Sequence, residues 1–287
     1  MKKLAARSLL LASLAAFSSS VPPLRAAARF ELGFGWSFVR SFFKSSYASA
    51  YDPPLSPASY YVSSSADQTL TLRSRPTTGS NGCFNVLFDE HFGVQFLADY
   101  HKPGFHGVNS PYHVVLNYVT TVPVTYDKTD AAWPDTSGDF TQTTFSLNGL
   151  ARLDLSRAVM LSFSGGLSYF YLEGKALPLG FTSFSLTYDG AAYVLAEKTY
   201  RMSFQFGPRS RYGLNLGSEL AFRVKRAVMA VLDLRWFHAA GFDCPLKLKP
   251  SEEITEPLEE VEAAVNLGVL RVSPSYLRLG FFLRFAF

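Results

Sequence analysis

Three histidines, His101, His106 and His113, follow Asp99 within one short stretch. Imidazole and carboxylate are both metal ligands, but this spacing matches no ligand pattern. Solvated loop side chains are the expectation. Six acids, Glu252, Glu253, Glu256, Glu259, Glu260 and Glu262, crowd a later segment around Leu258 and Val261. A short amphipathic helix or a weak divalent-ion site would use them, and a solvated acidic loop is the expectation. Gly33-Phe34-Gly35 has no helix behind it to cradle a phosphate, and Ser164-Gly165-Gly166 lacks the nucleophile-elbow pattern. No Ser/His/acid set can be assembled at a defined geometry. The expectation is therefore no catalytic residue, no metal, no cofactor and no enzyme.

A different set of charges sits inside apolar stretches, always at every second position: Glu31, Arg152, Glu219, Arg223, Asp233, Arg235, Arg278 and Arg284. A period of two places them on one face of a strand, opposite the apolar face. From Leu277 onward, Leu277, Leu279, Phe281, Leu283, Phe285 and Phe287 alternate with Arg278, Gly280, Phe282, Arg284 and Ala286. The same pattern recurs over residues 30–38, 84–89, 92–100, 144–153, 159–171, 214–223 and 228–237. A soluble core would reject the arginines. A barrel with lipid outside and a polar lumen inside accepts both faces.

The gaps fit that reading. Short turns at 89–91, 154–157 and 224–226 alternate with long connections at 41–82, 101–140, 172–211 and 238–270. Short periplasmic turns and long extracellular loops are the pattern of an outer-membrane barrel. The expected fold is all-β, a closed antiparallel transmembrane β-barrel of eight strands. Residues 112–126 also read as strand and are expected as an extension or hairpin above the membrane. A ten-strand count, adding 112–126 and either 69–75 or 198–206, is the rival. Eight strands leave a bore that side chains fill, so the inward charges are expected to form a lumenal salt-bridge network. Trp36, Tyr100, Tyr169, Tyr171 and Trp236 stand where an interfacial aromatic girdle belongs.

Lys2, Lys3 and Arg7, then the apolar run from Leu9 to Phe17 and Ala26-Ala27-Ala28, read as a secretory signal peptide over residues 1–28. That run is short of the ~20 residues a spanning helix needs. Residues 29–287 form the expected barrel domain. Losing Lys2, Lys3, Arg7 and Arg25 brings the formal net charge of +4 to about zero, so nucleic acid is excluded as a partner. Cys83 and Cys244 suit an exported chain as a disulfide or as free thiols. Tyr47, Tyr51, Tyr60 and Tyr61 in the first long connection are contact-capable residues on an exposed loop, for a surface ligand of unknown identity.

Signal peptide, alternating strands, short–long spacing and final Phe287 together resemble the small outer-membrane β-barrel proteins of Gram-negative bacteria, of the OmpA transmembrane-domain, OmpX and OmpW types. The resemblance implies residence in the outer membrane, with its lipid and lipopolysaccharide as partners. It also implies that Leu277, Leu279, Phe281, Leu283, Phe285 and Phe287 form an assembly signal read by the barrel-assembly machinery. The function expected is a structural or surface-interaction role carried by the loops. The alternatives are a narrow pore for small solutes, a lipid A or phospholipid hydrolase, and a soluble lipocalin-type barrel.

Overall fold

The computed structural model describes residues 28–42, 44–51, 61–109, 112–119, 123–131, 136–174, 177–188, 193–205, 207–245, 247–249, 257–259 and 269–287. The signal segment lies outside these residues, save Ala28. Eight strands form the membrane part: β1 (Arg29–Ser41), β2 (Thr77–Leu87), β3 (Phe92–His101), β4 (Thr136–Asp154), β5 (Val159–Gly174), β6 (Arg209–Lys225), β7 (Val228–Ala239) and β8 (Tyr276–Ala286). Each pairs antiparallel with the next. β8 then pairs with β1 from Glu31↔Ala286 to Ser41↔Tyr276, which closes the ring. No strand of the ring keeps a free edge, as hydrocarbon demands.

Eight, not ten, strands make the ring. Tyr61–Ser74 pairs with Lys44–Tyr51, Gly104–Asn109 and Tyr112–Val119 instead. Tyr193–Gln205 pairs with Leu177–Tyr188 and Lys247–Lys249. The 112–126 segment is a hairpin, Tyr112–Val119 against Pro123–Ala131. The long connections are thus largely strand, including the tyrosine-rich first one, where Tyr47 pairs with Leu70 and Tyr51 with Ala66.

The alternation read from the sequence becomes an exterior and an interior. Phe34 is 60% exposed, Leu167 and Leu216 64%, beside Phe96, Phe145, Leu234 and Leu283. An apolar surface of that extent has no place in water and matches a bilayer. Trp36 lies on Phe281 at 4.8 Å midway along the closing seam, while Tyr169 on Tyr212 at 5.4 Å and Trp236 on His238 at 5.2 Å lie near one end of the barrel. Phe30, Phe88, Phe92, Phe285 and Phe287 ring the other.

Tight turns at that second end set the strand registers. The Asp89 carboxylate accepts the amide hydrogens of His91 (2.7 Å) and Phe92 (2.6 Å). These two bonds, His91 first, hold its pKa below the ordinary aspartate value. The Ser156 hydroxyl accepts in the same way from Ala158 and Val159.

Candidate functional site

Inward residues of all eight strands meet in the bore, and the charged ones form a continuous chain. At the periplasmic end Arg152 (β4) grips Glu31 (β1) through both nitrogens, at 2.9 and 2.7 Å, while the Asn85 amide donates to the same carboxylate. Arg284 (β8) stands 3.8 Å from Glu31 and donates to Glu219 (β6) at 2.6 Å. Glu219 also accepts from Gln95 at 2.6 Å and lies 3.7 Å from Arg235 (β7). Arg235 donates to Asp233 at 3.1 Å, to Asn215 at 2.7 Å and to Ser164 at 2.7 Å. Arg278 (β8) bridges Asp233 to Asp99 (β3), and Tyr276 caps Asp99. Four arginines meet four carboxylates, so the chain carries no net charge. Each of its members is at most 6% exposed.

Apolar side chains pack among and above the charges of this chain. Beside Arg284, and between it and Arg278, Cys83, Leu97, Met160, Ala221, Met229, Val231 and Phe282 pack as one cluster. Above the charges the Phe237 ring stacks on Tyr276 at 4.3 Å, and Phe170 meets both edge-on at 6.4 Å. The Arg278 guanidinium lies 5.5 Å from the rings of Phe237 and Phe282, which ties the charges to both apolar groups. One glycine makes space for a charge. A Cβ on Gly217 would come within 2.7 Å of the Arg235 guanidinium carbon.

Seven of the eight lumenal charges read from the sequence lie in this bore. Arg223 does not: it is exposed and donates to the Arg157 carbonyl at 3.2 Å. Its parity is inward, but it sits at the periplasmic rim beside a register shift to Lys225, where a long side chain leaves the bore. Asp99 and Tyr276 complete the network. Their alternation alone marks them as inward.

The remaining candidates do not assemble a reaction site. His101 is not a solvated loop residue: it is 1% exposed, with its ring 4.6 Å from Tyr276. His106 is half-buried in Gly104–Asn109, and the side chain of His113 lies outside the described residues. Among the described residues no group of three potential ligands could hold a metal ion. Most of the glutamate-rich run is also outside them. Ser164 is an acceptor for Arg235 within the bore. Ser275 and His238 approach to 3.4 Å, but the Ser275 hydroxyl is bonded to both the amide and the carbonyl of Ala239. Cys83 and Cys244 are both free thiols. Cys83 lies inside the bore, and Cys244 in Phe242–Pro245, paired with Val269–Val272 above the opposite end.

Glu219→Ala leaves Arg284 and Arg235 buried with one carboxylate fewer. Breaking a buried pair this way is expected to cost about 3–5 kcal/mol, read from denaturant unfolding in lipid vesicles. Arg223→Ala should stay within about 0.5 kcal/mol. Equal losses for the two variants would contradict the placement of the network.

No protein-family model and no curated protein matches the chain. Solved structures resemble it at about a tenth of identical positions. They include Ail, the attachment invasion locus protein of Yersinia pestis, in complex with the heparin analogue sucrose octasulfate (10% identity, TM-score 0.35, 91% of this chain and 100% of that one). Neisserial surface protein A has 11% identity, TM-score 0.37 and the same coverage. The outer membrane protease OmpT of Escherichia coli has 10% identity and TM-score 0.34, covering 94% of this chain and 100% of that one. Closed ladders, an apolar exterior, and short turns facing long loops make this chain an eight-stranded β-barrel of the bacterial outer membrane.

Proposed function

We propose that the protein is a non-conducting membrane scaffold that displays a strand-rich extracellular layer for interaction with a surface ligand. The observation that carries this reading is the occupied bore. Paired charges cross it from β1 to β8, packed among buried apolar side chains. A solute would have to break ion pairs that have no water to replace them. Outside the membrane, strands such as Tyr112–Val119 and Leu177–Tyr188 continue the fold. Loops held by a rigid scaffold are common carriers of binding.

The purified barrel in planar bilayers should give no unitary conductance, and Arg235→Ala should open discrete steps by removing the side chain that spans Asp233, Asn215 and Ser164. Steady single-channel currents from the unaltered protein would favour the narrow-pore alternative.

We also propose that the outward row Leu277, Leu279, Phe281, Leu283, Phe285 and Phe287 is the assembly signal. The Phe287 amide already donates to the Phe30 carbonyl at 2.9 Å, so the last residue sits at the closing seam. Phe287→Asp should slow insertion and raise the heat-insensitive fraction in whole membranes at least severalfold. Insertion at the normal rate would refute that role.

A further inference from the structure

We infer that the periplasmic rim over β4–β7 is a docking site for an acidic polypeptide segment of a periplasmic protein, its carboxylates taken up by Arg157, Arg223, Lys225 and Arg226. The inference rests on the orientation of the barrel, with its short turns in the periplasm. It goes beyond the surface role proposed above, which belongs to the opposite end.

Arg223 holds an inward place in the β6 row, yet it stands exposed at the rim and takes no part in the paired charges of the bore. Lys225 follows across the register shift, and Arg226 lies at the tip of the β6–β7 hairpin. Arg157 stands on the β4–β5 turn beside them. The Arg223 amide donates to the Ala158 carbonyl at 2.8 Å, and its guanidinium to the Arg157 carbonyl at 3.2 Å. Neighbouring strands are ~4.8 Å apart, so the arc between the two turns is roughly 10 Å wide. All four cations are exposed. Among the described residues none of them is in an ion pair. From Leu155 to Val159 and from Phe222 to Val228 the sequence holds these four cations and no acid.

Charge is segregated around the rim. Asp89 and Glu90 occupy the β2–β3 turn, and Asp154 ends β4. The Asp89 carboxylate is bonded within its own turn, to the His91 and Phe92 amides. The basic arc is therefore left open to an external anion. Its backbone is fixed. The Ser156 hydroxyl accepts from the Ala158 and Val159 amides beside Arg157, and the Ala286 amide of β8 donates to the Ala227 carbonyl beside Arg226 at 2.9 Å. Rigid mounting reduces the ordering cost of binding.

Position and spacing select the partner. Leu155, 59% exposed, and Val224, 62% exposed, hold the lipid-facing places on this arc. The cations stand at turn tips or, for Arg223, at an inward place, so an anion reaches them from the periplasm and not from the leaflet. Carboxylates on alternate residues of an extended chain recur about 7 Å apart. Two or three of them span the arc, and each arginine offers a carboxylate paired donors.

The test uses the full barrel in phosphatidylcholine nanodiscs, which leave both rims open, with a fluorescent hexaglutamate peptide as the probe, read by anisotropy. The peptide should bind, and binding should weaken as salt is raised. Arg223→Gln combined with Arg226→Gln should weaken it about tenfold, while Arg40→Gln combined with Lys102→Gln at the extracellular rim should leave it unchanged. Heat-modifiable migration of each variant checks the barrel itself, so a lost fold is distinguished from a lost site. Undiminished binding by the folded Arg223/Arg226 variant would overturn the inference. So would loss of peptide binding when phosphatidylglycerol is added to the nanodiscs, which would assign the cations to phospholipid, or tighter binding of a muropeptide than of hexaglutamate, which would assign them to the cell wall.

Discussion

A peptide group left unpaired in hydrocarbon costs several kcal/mol, and the seam between β1 and β8 is where this chain meets that demand. Every other adjacent pair in the ring is joined by a connection in sequence. The seam joins residues near opposite ends of the chain, with Gly33 facing Arg284 and Trp36 facing Phe281. Once it forms, the exterior has no edge and the interior has no exit for its polar side chains. Closure also brings Glu31 of the first strand within 3.8 Å of Arg284 of the last.

The sealed interior then imposes its own rule, that buried charge must be paired. Eight strands leave too little room for a water column wide enough to solvate four guanidinium groups. The chain answers with four carboxylates, and with small inward residues such as Gly217 and Ser164 beside Arg235. Aromatic rings above the charges and an apolar cluster packed beside Arg284 lower the local polarity, which strengthens each pair. The membrane part is therefore a filled cylinder, and specific recognition is left to its rims and to the strands beyond them.

Strand identity and facing were legible in the sequence because lipid and lumen impose a strict period of two. Phe34, Leu216 and Leu283 fall on the predicted side without exception. The height of a residue along the barrel was less legible, because it depends on the stagger between strands and not on local pattern. That is why Arg223, inward by parity, ends at the rim, and why Asp99 joins Arg278 from a strand far away in sequence. His101 was read as loop because apolar alternation stops at Tyr100, yet β3 carries it into the roof of the bore. The extracellular pairings were least legible. Segments such as Gly104–Asn109 acquire strand structure from partners distant in sequence, here Tyr61–Ser74 and β4, and lack a lipid face to mark them.

The thiol of Cys83, free and 3% exposed within the bore, reports directly on whether that bore is filled. With Cys244 replaced by serine, the folded barrel in lipid vesicles can be treated with a small, water-soluble methanethiosulfonate reagent. A filled bore predicts no modification of Cys83 over hours, with complete modification once the chain is unfolded in denaturant. Modification of the folded protein at the rate of an exposed thiol would contradict the account.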